Sequence, residues 1–420
     1  MNTKNIKFNQ KLRSALIFVI MIFSFNVCAQ KKDSIIENIG KKINYELTGY
    51  SAVHPKDIPK DIGLFIYSKD GRRMIRFFGS FRFLMNVDNR KQFLPYHIDP
   101  PQIPTGEKYF TDWNSNWTIN NSVIGLDALY GEKRSVLVRF ELDWKGTNSA
   151  FRIRHLFFRT QHWLIGKSWT SFNSLEFLPF TVDSHLMGGG SGARVPQIRY
   201  YDKVNKWKFQ IGAEYLQTKL VKPENIDAEP RILLPSIAAK TSYDVPWGKT
   251  SAAAVVKFNR AQYLGANKRS QTVIGYGINL NALVRVGVDN FAISGYAGRG
   301  MSTYVVDYAF INTELVYNPD KEKFNGTTSL GGYMNYKRQW DANLFSTLAF
   351  GFNTLPKNKY MEELTFHYSY KAIINLFYRP TNKELEGFSA GAEFLYAARH
   401  NKNNSINNAV RPALIVMYDF

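Results

Sequence analysis

Cysteine is almost absent from this chain: its single cysteine, Cys28, lies in the N-terminal segment. A disulfide framework is therefore excluded, and so is thiolate chemistry over the rest of the sequence. Long apolar runs are also missing. Beyond the N-terminus no stretch of 18 apolar residues occurs, which excludes a helical membrane protein. Acidic residues are scarce, 34 Asp and Glu against 54 Lys and Arg, and the formal net charge is +20. No two of the seven histidines have the H-x-x-x-H spacing of a metal-binding helix, and no G-x-S-x-G elbow presents a serine nucleophile. Neither a metal nor a catalytic serine is expected on these grounds.

The N-terminus carries Lys4, Lys7, Lys11 and Arg13, then the apolar run SALIFVIMIFSF, then NVCAQ with small residues at Val27 and Ala29. This three-part layout is that of an export signal over residues 1–29, cleaved after Ala29. A lipoprotein reading at Cys28 meets a poor lipobox in FNV. Cleavage removes four of the 54 basic residues and none of the 34 acidic ones, leaving a surplus of 16. In an exported chain that surplus points to anionic lipid headgroups or anionic solutes rather than nucleic acid. Residues 30–70 read as a short periplasmic helix and connector. Ile35, Ile39, Ile43 and Leu47 make one helical stripe, a candidate oligomerising segment, and Pro55 and Pro59 mark the connector.

From residue 71 onward the period changes to two. Trp207, Phe209, Ile211, Ala213 and Tyr215 alternate with Lys206, Lys208, Gln210, Gly212 and Glu214, and Val136, Val138, Phe140, Leu142 and Trp144 alternate in the same way. Segments of about ten residues, apolar on one side and polar on the other, are the pattern of a membrane barrel with a wet interior. About sixteen of them run from 74–85 to 409–420, with short and long connections in alternation. The expected fold is all-β: a transmembrane antiparallel up-and-down β-barrel over residues 71–420, with two further strands possible in TYVVDYAFINTELVY. The last segment, ALIVMYDF, sets Leu414, Val416, Tyr418 and Phe420 on one face. Tyr418 and Phe420 resemble the closing-strand signal read by the bacterial barrel-assembly machinery.

Residues 155–203 carry Gly166–Lys167–Ser168–Trp169–Thr170 and, after a long connection, Arg194, Pro196, Gln197, Arg199 and Tyr200; FRIRH precedes them. This stretch resembles the DcaP-like trimeric porins, with a Gly-x-[ST]-Trp-[ST] signature and an Arg-x-Pro-Gln-x-Arg-Tyr return strand. The resemblance implies a homotrimeric diffusion channel in the outer membrane of a Gram-negative-type bacterium, set among lipid and lipopolysaccharide. It also implies a third loop folded inward and a preference for small anionic solutes such as carboxylates. The short N-terminal segment departs from that family's pattern.

The residues support the reading independently. Arg76 and Arg82 alternate with Phe77, Phe81 and Phe83, and Arg152 and Arg154 with Ile153. A guanidinium at mid-depth on the lipid face costs about 2–4 kcal/mol, so these side chains are expected in the lumen. Arg suits planar carboxylates, and a ring of it sets anion preference with no chemical step. The candidate constriction residues are Arg76, Arg82, Arg139, Arg152, Arg154, Lys167, Glu176, Asp183, Arg194 and Arg199. Some of the arginines are also expected to pair with Glu141, Asp143, Glu176 or Asp183.

The hexapeptide GGGSGA at 188–193 satisfies the dinucleotide pattern G-x-G-x-x-A, but no buried strand precedes it and no helix follows. No cofactor is expected. Gly188, Gly189, Gly190 and Gly192 are read as constriction-loop glycines that shape the opening. The competing reading is a barrel that serves as an esterase-like enzyme or adhesion platform, on the strength of His155, His162 and His185 near Ser168, Ser171 and Asp183.

Overall fold

In the computed structural model, the exposed side chains are the apolar ones. Along Trp207–Glu214, Trp207, Phe209 and Ile211 are exposed while Gln210 and Glu214 are buried. A soluble sheet does the opposite. The structure describes residues 63–420 apart from 71, 109, 131–134, 185–186 and 265–267. The export signal, Cys28, the stripe from Ile35 to Leu47 and His185 lie outside the described residues.

Sixteen strands form the wall: β1 (Arg73–Asp88), β2 (Asn114–Thr118 continued by Val123–Tyr130), β3 (Val136–Asp143), β4 (Arg152–Arg159), β5 (Trp163–Trp169), β6 (Arg194–Val204), β7 (Trp207–Glu214) and β8 (Ser236–Val245). The circuit continues through β9 (Gly248–Tyr263), β10 (Arg269–Val286), β11 (Asp289–Arg299), β12 (Thr328–Gln339), β13 (Leu344–Thr354), β14 (Phe366–Tyr378), β15 (Phe388–Asn401) and β16 (Ile406–Asp419). Each pairs antiparallel with its neighbours. Closure is between β1 and β16, from Ser80 opposite Asp419 to Asn86 opposite Ala413. Gly79 and Phe420 exchange backbone hydrogen bonds of 2.8 and 3.0 Å at the seam, where the Phe420 ring lies over the space a side chain at Gly79 would take. A short strand, Leu64–Tyr67, pairs with the start of β1.

One end of the barrel has the shorter turns. Tyr130, Trp163, Trp207, Trp247, Trp340 and Tyr378 all lie there, exposed, and make the aromatic girdle of a membrane interface. The wall is uneven in height. β3, β4 and β5 have 8, 8 and 7 residues, whereas β9 and β10 have 16 and 18.

The long connections fill the lumen. The first (89–113), third (170–193) and sixth (300–327) bring Ile98, Ile103, Phe172, Phe177, Met187, Tyr304 and Tyr308 inside, all buried. They pack on small inward residues of the wall such as Ala292, Ala349, Ala397 and Ala409. The segment TYVVDYAFINTELVY adds no strand to the barrel. Ser302–Tyr304 and Val306–Tyr308 are single 3-10 turns in the lumen, and Leu315–Asn318 joins Lys323–Gly326 and Leu220–Val221 in a separate three-stranded sheet.

The lumen and its candidate constriction

The third loop leaves the wall at Trp169 and returns at Arg194. Its neck closes through Thr170 N to the Ala193 carbonyl, 2.8 Å, and is anchored on Glu214 of β7, which accepts from the Thr170 hydroxyl (2.5 Å) and the Ser171 N–H (2.7 Å). On the far wall, side chains at alternate inward positions bind the loop's backbone. Tyr333 and Asn335 donate to the carbonyls of Ser174 and Phe177 at 2.8 and 2.9 Å, and Asn375 donates to that of Phe180 at 2.8 Å. Glu393 accepts from Val182 and Asp183 N–H at 2.7 and 2.8 Å. These buried polar groups each satisfy a backbone partner and add to the packing of Leu175, Phe177, Leu178 and Met187 on the wall.

The glycines sit against this far wall rather than at an opening. Gly188, Gly189, Gly190 and Gly192 are all buried. Gly188 lies on Gly351 and Gly189 on Gly332, so closely that a Cβ on Gly189 or Gly351 would collide with the opposing backbone. The sixth loop then caps them. Gly189 N–H donates to Asp307 at 2.8 Å, Gly192 N–H to the Tyr304 carbonyl at 2.8 Å, and Val306 N–H to the Gly190 carbonyl at 3.2 Å. The expectation that these glycines shape the aperture is corrected: their missing side chains let loop backbone touch wall backbone.

Two more of the expected lining residues are anchors, Asp183 buried and Glu176 half-buried. Asp183 accepts from Ile98 N–H (2.9 Å) and Lys371 (3.2 Å), and Glu176 pairs with Lys240 (3.3 Å) and Lys249. Their partners are lysines far along the chain. Arg76 and Arg139 are wall braces: Arg139 makes two bonds to Asp127, 2.7 and 2.8 Å, and Arg76 adds a third at 2.8 Å. Arg199 is buried and donates to the Trp169 carbonyl and to Gln210 at 3.3 Å, below the loop's neck. Lys167 shares the outward parity of Trp163 and Ile165 and stands opposite exposed Leu156 and Pro196, yet it is half-buried and feels the charges of Arg194, Arg152 and Asp143.

The remaining candidates converge. Arg82, Arg152, Arg154 and Arg194, joined by Lys145 from the connection after β3, lie along one wall with Glu141 and Asp143. Arg154 bonds Glu141 at 2.6 Å and Asp143 at 3.0 Å; Arg152 bonds Asp143 at 3.0 and 2.7 Å. The Arg194 guanidinium stacks on Trp169 at 3.7 Å, and Arg82 donates to Ser80 at 3.0 Å. Lys145 donates to Ser184 of the third loop at 2.7 Å and sits over the Tyr96 ring at 4.7 Å. Burial, then Arg154 beside it, pushes the Lys145 ammonium well below the usual lysine value. Five cations face Glu141 and Asp143, with Asp419 and Arg379 beside Arg82. Arg152 is the most open of the arginines paired here, its side chain 41% exposed.

Ser168 and His155 do meet, Oγ to Nδ1 at 3.2 Å, with Glu141 4.0 Å from His155 Nε2. Arg194 Nε, always a donor, approaches His155 Nε2 at 3.4 Å, which favours the tautomer that carries its hydrogen on Nδ1, toward Ser168. A general base would need Nδ1 free to take the serine proton.

A closed barrel of sixteen antiparallel strands with a lipid-facing girdle and inward-folded loops defines an outer-membrane channel of the porin class. The family model described as DcaP outer membrane protein matches residues 67–420, and the chain belongs to that family. Among solved structures it is similar to the outer membrane channel DcaP of Acinetobacter baumannii, with 20% identity and a TM-score of 0.71 over 84% of this chain and 99% of that one. It is also similar in fold to Salmonella typhi OmpF, at 11% identity and a TM-score of 0.52 over 85% of this chain and 100% of that one. Outer-membrane expressed OmpT of Vibrio cholerae gives 11% identity and a TM-score of 0.51, with 85% and 100% covered. No curated protein matches the chain in sequence.

Proposed function

We propose that this outer-membrane channel passes small anionic solutes, carboxylates foremost, along the wall that carries Arg82, Lys145, Arg152, Arg154 and Arg194. The carrying observation is the imbalance there, five cations against Glu141, Asp143 and Asp419. Guanidinium groups already half-satisfied by carboxylates stay rigid yet keep N–H groups to offer, which favours passage over tight capture. No chemical step is assigned: the Arg194 contact favours the His155 tautomer that does not take a proton from Ser168.

The working unit of this reading is a homotrimer. Strands of 7–8 residues rise only about 20 Å at a 40° tilt, less than an apolar belt of about 25 Å, so the wall of β3–β5 suits contact with another copy better than contact with lipid. Lys167 lies on that wall. Outer-membrane lipid and lipopolysaccharide surround the rest, and the Phe420 end fits recognition by the barrel-assembly machinery.

Planar-bilayer reversal potentials under a salt gradient test the selectivity. Anion preference that weakens in an Arg152→Ala variant is expected; cation preference in the unaltered protein would sink the proposal.

A further inference from the structure

The first, third and sixth loops meet at one point on the wall, and each brings a buried carboxylate: Asp99, Asp183 and Asp307. Glu393 of β15 is a fourth. Lys371 of β14, fully buried, donates to Asp183 and to the Ile98 carbonyl, both at 3.2 Å. Asp307 accepts from Gly189 N–H and from Asn353. Both carboxylate oxygens of Asp99 are buried without a hydrogen-bond partner.

The other charged groups nearby offer little relief. Arg399 of β15 faces Asp99, but its guanidinium is taken by the carbonyls of Pro101 (2.5 Å), Ile103 (3.3 Å) and Leu364 (2.8 Å). Lys219 of the fourth loop faces both Glu314 and Asp99, and its ammonium donates to the carbonyls of Tyr308 and Ala309. Asp88 and Arg411 form their own pair between β1 and β16, and Tyr296 and Tyr308 present hydroxyls that cannot neutralise a charge. Four carboxylates thus face Lys371, Arg399 and Lys219, and full ionisation would leave an excess of negative charge inside the loop junction.

We propose that this junction is a proton-loaded latch: with its protons in place it docks the three loops on the wall and keeps the passage narrow, and on losing them it drives the first and sixth loops off the third. The direction follows from linkage. Burial and then Asp307 raise the Asp99 carboxyl well above its usual range, and burial, opposed by the Gly189 N–H, raises Asp307 to about 7. The docked state therefore binds more protons than the undocked one, so docking is favoured below neutral pH and lost as pH rises through about 7.

The test is single-channel conductance of the full-length protein from about pH 5 to about pH 9 at constant salt. Unaltered channels are expected to pass to a higher conductance with a midpoint near neutrality, and Asp307→Asn to abolish the transition or move its midpoint by at least about one unit. Should Asp307→Asn fail to fold, as judged by heat-modifiable gel mobility, Asp99→Asn carries the test, because that carboxylate has no hydrogen bond to lose. Conductance that stays flat across the range, or Asn variants that titrate like the parent, would overturn the latch. Reversal potentials from the same membranes report charge selectivity separately, so either idea can fail alone.

Discussion

Gly189 lies with its backbone directly on that of Gly332, at φ +84°, so that a methyl group there would collide with the wall. Loop docking in this barrel depends on that absence of side chains. Gly189→Ala adds both the collision and a left-handed strain of about 1–2 kcal/mol. The third loop is expected to stand off the wall, raising conductance and speeding the uptake of larger sugars in liposome swelling. Gly295→Ala is the control, since its nearest neighbour would be a backbone oxygen at 3.9 Å. Equal conductance in the two variants would mean that the loop is held elsewhere.

Arg411 and Asp88 tie the last strand to the first with two bonds, 2.6 and 2.8 Å, both side chains almost fully buried. Removing one partner strands the other charge in the seam, a loss of about 3–5 kcal/mol for a buried pair. Asp88→Ala is expected to lower the temperature at which the barrel loses its folded mobility on gels. Asp320→Ala, which removes an exposed pair with Lys359 (side chains 60% and 68% exposed) and an exposed hydrogen bond from the Tyr360 hydroxyl (2.6 Å), should leave that temperature almost unchanged.

Arg152 and Lys167 carry the same charge, but the parity of β5 turns Lys167 outward. Arg152→Glu is therefore expected to shift the reversal potential toward cations, whereas Lys167→Glu leaves it in place and acts, if anywhere, on the size of the assembly in detergent. A matching shift from both variants would put Lys167 back in the lumen.

Much of this architecture was legible because a barrel enforces strict alternation. One period of two serves every strand, and lipid on one side with water and loops on the other keeps the pattern sharp from β1 to β16. The same rule, applied to Trp163 and Ile165, places Lys167 outward; grouping it with the arginines followed its charge instead of its parity. Loops offered no such rule. The run from Thr303 to Tyr317 has strand-like composition, yet its fate was set by distant bonds, Gly192 N–H to Tyr304 and the cluster of Lys257, Thr303 and Glu314. Glu176 and Asp183 gave no local hint of Lys240, Lys249 or Lys371. A usable signal was present in Tyr333, Asn335 and Asn375, hydrogen-bonding side chains at inward positions, where donors face a backbone that must come from a loop.

Lys257 and Glu314 make a lumen clamp outside the third loop. Lys257 Nζ donates to both Glu314 oxygens at 2.8 Å, to Thr303 at 2.7 Å and to the Gln217 carbonyl at 3.3 Å, while Glu314 also accepts from Lys219 N–H at 3.1 Å and from the Thr303 hydroxyl at 2.7 Å. Every donor of the ammonium is used, and the fourth and sixth loops are fixed to β9 through one charge pair. Glu314→Gln keeps the shape but leaves the buried Lys257 charge facing a neutral amide, at a cost of the order of 3 kcal/mol. Proteolysis at the fourth and sixth loops is expected to accelerate while the barrel keeps its folded mobility, because the wall's own hydrogen bonds are untouched. The double variant Glu314→Gln with Lys257→Met removes the stranded charge and should recover most of the resistance. Resistance unchanged in Glu314→Gln would show that the small sheet around Leu315–Asn318 holds the loops without the clamp.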